Sequence, residues 1–186
     1  MPSIITHTAV PLALGLGMGS GVISRRLLLA GVAASMVPDL DVIGFKLGVA
    51  YADSMGHRGI THSLLFALIL GALGFLLAKR LHARPWVAGL FVFISCVSHG
   101  LLDMCTNGGL GVAFLWPFSH ERYFLPWHFI QVAPLSLHKL FSPWGQRMLY
   151  SELRGVWLPC LLFAASLTAV RLSLKKLRPA PAAAPD

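Results

Sequence analysis

Residues Gly56 to Ser63, reading GHRGITHS, place two histidines, an arginine and two hydroxyls immediately before a long apolar run. In a chain that is only 12% charged, such a cluster has little reason to be a solvated loop. Three other stretches carry side chains of the metal-ligating kind: His7 between two threonines, Asp39 and Asp41 around Leu40, and His99 with Asp103. Imidazole and carboxylate together suit a divalent ion, with zinc foremost and manganese or ferrous iron as other choices. Such an ion acidifies water and polarises an ester, so the chemistry in view is hydrolysis.

Spacing decides how these residues can meet. His99 and Asp103 are four apart, which puts them on one helical face, one turn from each other. A helix-packing or capping pair is the alternative. However, an aspartate at the bilayer centre costs roughly 2.5–3.5 kcal/mol, and such residues usually have a functional partner. Asp39 and Asp41 would repel each other unless a cation lay between them, whether a metal or Arg58; a solvated helix-ending turn is the alternative. His57 and His62 do not align on a regular helix, but they converge if His57 lies in a loop and His62 in the first turn after it. Arg58 carries a planar fork suited to a phosphate or a developing oxyanion, and Asp41 is a candidate base. His120, His128 and His138 fall among aromatics and prolines, where a solvated role fits better.

The elements that must position these residues are membrane helices. A chain of 186 residues that is 56% apolar, with a mean hydropathy of +0.71, lies outside the soluble range. Apolar runs at 4–22, 27–37, 64–78, 86–102 and 156–172 predict an all-α, polytopic membrane bundle of about five hydrophobic helices, read as one domain over 1–178. The run before Pro38 is short for a span. Gly15, Gly17, Gly19 and Gly21 offer close helix approach. Thr61 or Ser63 can cap the third helix. Residues 104–155, rich in tryptophan, tyrosine and proline, predict an interfacial segment between the last two helices, and 179–186 a disordered tail.

Fifteen lysines and arginines stand against seven acids, a formal charge of +8. They gather at Arg25-Arg26, at Lys79 to Arg84 and at Arg171 to Arg178. Five alternating spans put all three clusters on the cytoplasmic side, and every candidate ligand then falls near the opposite, periplasmic face. The same placement argues against direct nucleic-acid binding, since no basic face with interleaved aromatics appears. Three cysteines without CxxC spacing indicate neither a disulfide framework nor a thiolate metal site. The N-terminal run lacks a preceding basic region and a small-residue cleavage site, and reads as retained.

With these motifs in order, the chain resembles the YdjM family of bacterial inner-membrane proteins, described as LexA-regulated metal-dependent hydrolases on inferred grounds. The resemblance rests on Thr6-His7-Thr8, Pro38-Asp39-Leu40-Asp41, His57-Arg58-Gly59-Ile60-Thr61-His62-Ser63, Ser98-His99-Gly100-Leu101-Leu102-Asp103 and Trp116-Pro117-Phe118-Ser119. It implies a hydrolase in the inner membrane whose metal is held by His7, Asp39, Asp41, His57, His62, His99 and Asp103. Membrane lipids are the expected partners, including a lipid substrate; oligomeric state stays open. A likeness to zinc-dependent phospholipases C is weaker, because Ser142 stands where an HxxxE motif from His138 needs glutamate. Two other classes remain in play: a metal or proton transporter, against which one-sided clustering argues, and a non-catalytic structural membrane protein.

Overall fold

In the computed structural model, described over residues 1–133 and 141–177, the chain is an all-helical bundle without a β-strand among those residues. The expected tail at 179–186, and His138, lie outside the described residues. Five helices follow in order: α1 (Ala9–Met18), α2 (Arg25–Lys46), α3 (Leu64–Leu76), α4 (Pro85–Met104) and α5 (Pro143–Lys176).

Local chemistry sets the helix ends. Ser24, Ser63 and Ser142 each accept a first-turn amide proton, from Leu27, Phe66 and Gly145, so Ser63 rather than Thr61 caps α3. Proline occupies the first turn of α4 and α5, where its missing N–H costs nothing. Gly19, at φ 78°, stops α1 well short of Val22.

Two expectations about helix length need correction. Pro38 does not end the second helix; it opens a 3-10 turn, Val37–Val42, through which α2 continues to Lys46 for 22 residues. A proline at the start of a tight turn breaks no hydrogen bond that the turn needs. The last helix begins at Pro143, not near Val156, and runs 34 residues with a π-helical turn at Leu153–Trp157. Its first turns are polar, which hid them from a hydropathy reading.

α2, α4 and α5 are long and apolar enough to cross a membrane, whereas α1 and α3, at 10 and 13 residues, are shorter. At about 1.5 Å per residue these two fall short of a hydrocarbon core of about 30 Å. Small residues let the helices close up: Gly31 of α2 faces Phe91 and Ser95 of α4, Gly74 of α3 faces Ala88 and Val92, and Gly17 of α1 faces Leu167 of α5. Leu27, Ala67, Ala88, Phe91 and Cys96 fill the α2–α3–α4 core.

The basic clusters lie at one end of the bundle. Arg26 donates to the Arg80 carbonyl, Ser24 Oγ to that of Leu81, and Arg171 to that of Leu16. At the other end, residues 105–133 fold back over the α2–α3 loop, with Ala113 N–H bonded to Arg58 O and Leu64 N–H to Phe114 O.

Candidate metal centre

Four separate elements bring their polar side chains to one point. The 3-10 turn Thr6–Thr8 ahead of α1 carries His7, and the 3-10 turn inside α2 carries Asp39. The turn Ile60–His62 before α3 carries His62, and the last turns of α4 carry His99 and Asp103. None is more than 3% exposed.

Three imidazole nitrogens surround two carboxylates. His7 Nε2 lies 3.7 Å from Asp39 Oδ2 and 3.8 Å from Asp103 Oδ1. His62 Nε2 lies 3.3 Å from Asp103 Oδ2, and His99 Nε2 lies 3.5 Å from Asp39 Oδ1. The two ring nitrogens His62 Nε2 and His99 Nε2 are 2.9 Å apart, and the His7 and His99 rings stack at 3.6 Å.

These spacings fit a shared ion better than they fit direct bonds. Donors that each sit about 2.1 Å from one ion lie roughly 3–4 Å from each other, whereas a direct hydrogen bond at that length is poor. The donors of Asp39, His62, His99 and Asp103 all lie within 4.8 Å of one another. Both oxygens of Asp39 and both nitrogens of His7 are buried without a hydrogen-bond partner. Each such group costs about 1–3 kcal/mol unless something satisfies it, and one divalent cation would satisfy the Asp39 oxygens together with His7 Nε2, the ring nitrogen that faces them.

Outer contacts aim the rings inward. His99 Nδ1 donates to the Ser35 carbonyl at 2.8 Å, which leaves its Nε2 as a lone pair facing the cluster. His62 Nδ1 donates to Thr61 Oγ1 at 3.0 Å and lies 3.3 Å from Asp41 Oδ2; Thr61 passes its own proton to Asp41 at 2.8 Å. Burial disfavours a charged His62, but the hydrogen bonds and negative charges of Asp103 and Asp41 outweigh it and push the ring up to about 9.

The seven expected ligands therefore divide. Asp39, His62, His99 and Asp103 converge, with His7 beside them. Asp41 and His57 form a neighbouring group on the far nitrogen of His62, where His57 Nδ1 donates to Asp41 Oδ1 at 2.6 Å.

Arg58 was expected to face a substrate anion. Instead its guanidinium is fully buried: Nε lies 3.1 Å from Asp103 Oδ2, Nη2 donates to Thr106 Oγ1 at 2.9 Å, and Nη1 donates to Gly108 O at 2.9 Å. Its backbone is left-handed, at φ 63°, held by Asp41 Oδ2 on its amide. Gly59 follows because any Cβ there would lie 2.1 Å from Ser54 O. His120 and His128 are exposed and remote from the cluster's contacts.

Two residues escaped the sequence reading. Glu152, 2% exposed, accepts from Ser3 Oγ at 2.7 Å and Thr6 Oγ1 at 2.8 Å, tying the turn that holds His7 to α5. It sits in the polar first turns of α5, between Ser151 and Arg154, where nothing in the sequence sets it apart from a solvated residue. Arg122 donates to the carbonyls of His57, Tyr51 and Asp53, pinning the loop over Asp41. Its partners are backbone oxygens, so no motif marks it.

Comparison with known proteins agrees with the resemblance drawn above. No solved structure matches the chain. Inner membrane protein YbcI of Escherichia coli (strain K12) is 49% identical over 171 residues, covering 90% of this chain and 97% of that relative. The YdjM inner membrane protein family model matches residues 1–177, and the chain belongs to that family.

Proposed function

We propose that the protein is a membrane-bound, metal-dependent hydrolase acting on a phosphoester or other ester of a lipid at the periplasmic headgroup layer. The observation that carries this reading is the meeting of three histidines and two aspartates from four elements at the end of the bundle away from the basic turns. With the three basic clusters retained in the cytoplasm, that end would face the periplasm.

A divalent ion, zinc foremost, would supply Lewis acidity and lower the pKa of water. Asp39, His62, His99 and Asp103 would hold it with His7. Arg58 then acts by fixing Asp103, not by meeting substrate. Asp41 keeps a role in proton transfer by holding a proton on His57 Nδ1, which leaves His57 Nε2 to accept one.

The test is elemental analysis of protein purified without added metal, followed by hydrolysis of a panel of phospholipids and lipid esters. Near-stoichiometric metal in the native chain, lost together with turnover in His99→Ala and Asp103→Ala, is the expected result. Full metal content in both variants would sink the site. One observation favours a second reading: the candidate ligands are closed off, at most 3% exposed, as in structural metal sites. Metal that stabilises the chain while no lipid ester is turned over would select it. Ion flux in proteoliposomes that depended on Asp39 and Asp103 would instead select transport.

A further inference from the structure

The opposite end of the bundle holds a cavity of a different kind. A cavity of about 650 Å³ opens between the α1–α2 and α3–α4 turns, lined by Val22, Lys79, His82, Arg84, Trp86 and Val87 among others. Every ion pair among the described residues involves Asp39, Asp41 or Asp103, at the far end, and no acid lines this cavity. Arg26 Nη1 meets His82 Nε2 at 3.0 Å, and because a guanidinium only donates, that nitrogen accepts. The charges presented to the cavity are therefore those of Lys79 and Arg84.

Two further features indicate what these charges face. Arg84, which precedes α4, offers no side-chain cap, so the first-turn N–H groups of Trp86 and Val87 add a positive helix end to the cavity. Trp86, 60% exposed, also lines a second cavity of about 520 Å³ running along the outer face of α3 and α4. That groove is apolar, walled by Leu68, Phe75, Leu76, Leu90 and Phe93. Its floor is Gly71 and Gly89, where a Cβ on either would lie 3.1–3.2 Å from the other's carbonyl oxygen. A cationic cup and an apolar groove thus join at one tryptophan, which is the shape of an amphiphile with an anionic head.

We propose that Lys79, Arg84 and the α4 N-terminus bind the phosphate of an anionic phospholipid, with an acyl chain laid along the α3–α4 groove past Trp86. Basic pockets between membrane helices recognise anionic headgroups in this way, and tryptophan favours the level where head meets chain. The site is independent of the metal centre.

The test uses the full chain, delipidated in mild detergent and titrated by native mass spectrometry with phosphatidylglycerol, phosphatidylcholine or inorganic phosphate. Phosphatidylglycerol should bind at least tenfold more tightly than phosphatidylcholine. The pair Lys79→Gln/Arg84→Gln should weaken it about tenfold, while Arg25→Gln/Lys176→Gln, basic residues at the same end outside the cavity, should leave it unchanged. Trp86→Ala keeps both charges and should weaken phosphatidylglycerol alone. Equal binding of the two lipids, equal loss in the two charge-pair variants, or displacement by inorganic phosphate at the lipid's own concentration would overturn the assignment. If the charge pair fails to fold, undiminished lipid binding by Trp86→Ala overturns it.

Discussion

His62 Nε2 and His99 Nε2 stand 2.9 Å apart, and each ring is held from behind by an acceptor on its other nitrogen, Thr61 Oγ1 for His62 and the Ser35 carbonyl for His99. Once His62 gives up its Nε2 proton, two imidazoles so placed present lone pairs to one point, beside Asp39 and Asp103, the second of which is paired with Arg58. Ligand binding to the native state raises its stability by about 2.7 kcal/mol at a hundred times the dissociation constant. Chelation should therefore lower the melting temperature of the native chain by about 5–10 °C. The same chelator should leave His99→Ala unmoved, and thermal melts of both proteins with and without it provide the check.

Asp41 supports without joining the converging donors. It accepts from His57 Nδ1, Thr61 Oγ1 and the Arg58 amide, and backs His62. Asp41→Asn keeps the shape but loses the charge that makes His62 a stronger donor. Partners of this outer kind are worth about 10–100-fold in metal affinity. A competition titration against a chromogenic chelator should show a loss of that size with stoichiometry retained; complete loss of metal would promote Asp41 to a ligand.

Much of this was legible from residue types alone. His99 and Asp103 could be paired because a helix repeats every 3.6 residues, and the basic clusters at Arg25, Lys79 and Arg171 were legible because their charge seeks one side of a membrane. The first two clusters touch through Arg26 and Ser24, and Arg171 reaches Leu16 near the end of α1, so all three lie at one end of the bundle. The orientation of Arg58 was not legible, since a fork that suits phosphate suits Asp103 equally well, and only tertiary packing chooses. Pro38 misled because proline usually ends a helix, while here it opens a tight turn that aims Asp39 inward.

Arg58 offers a sharp contrast of roles. Its guanidinium neutralises Asp103 in a site that is closed to water, with Thr106 and Gly108 taking further protons. Removing one partner of a buried pair costs about 3–5 kcal/mol, so Arg58→Ala should destabilise the chain by that much. Arg58→Lys should recover only part, because an ammonium cannot reproduce the fork. Denaturant melts measure this; a lysine variant of native stability that showed only a raised KM would return Arg58 to substrate binding.

The raised His62 value sets a pH dependence for the metal-free chain. Its folded value, about 9, exceeds the unfolded value of about 6.5, so the protonated ring contributes stability that is fully present below pH 6.5 and is lost as pH climbs through 9. Metal-free protein should melt at lower temperature at pH 9 than at pH 6.5. Metal-loaded protein, whose His62 is bound as the neutral ring, should lack that fall. Parallel melts in chelator and in excess zinc provide the comparison.

Glu152 tests whether the metal centre depends on α5. Its carboxylate takes protons from Ser3 Oγ and Thr6 Oγ1, and Thr6 Oγ1 in turn accepts from Trp157 Nε1 at 2.9 Å. This network fixes the turn that carries His7. Glu152→Gln preserves volume but replaces one acceptor oxygen with a donor, leaving a serine or threonine proton unpaired at a cost of about 1–3 kcal/mol. If Glu152 acts through His7, the losses in metal affinity from Glu152→Gln and His7→Ala are not additive: once His7 is absent, the glutamine should cost little more affinity. A double-mutant cycle on the metal dissociation constant measures this, and fully additive losses would make Glu152 a packing residue with no bearing on the metal.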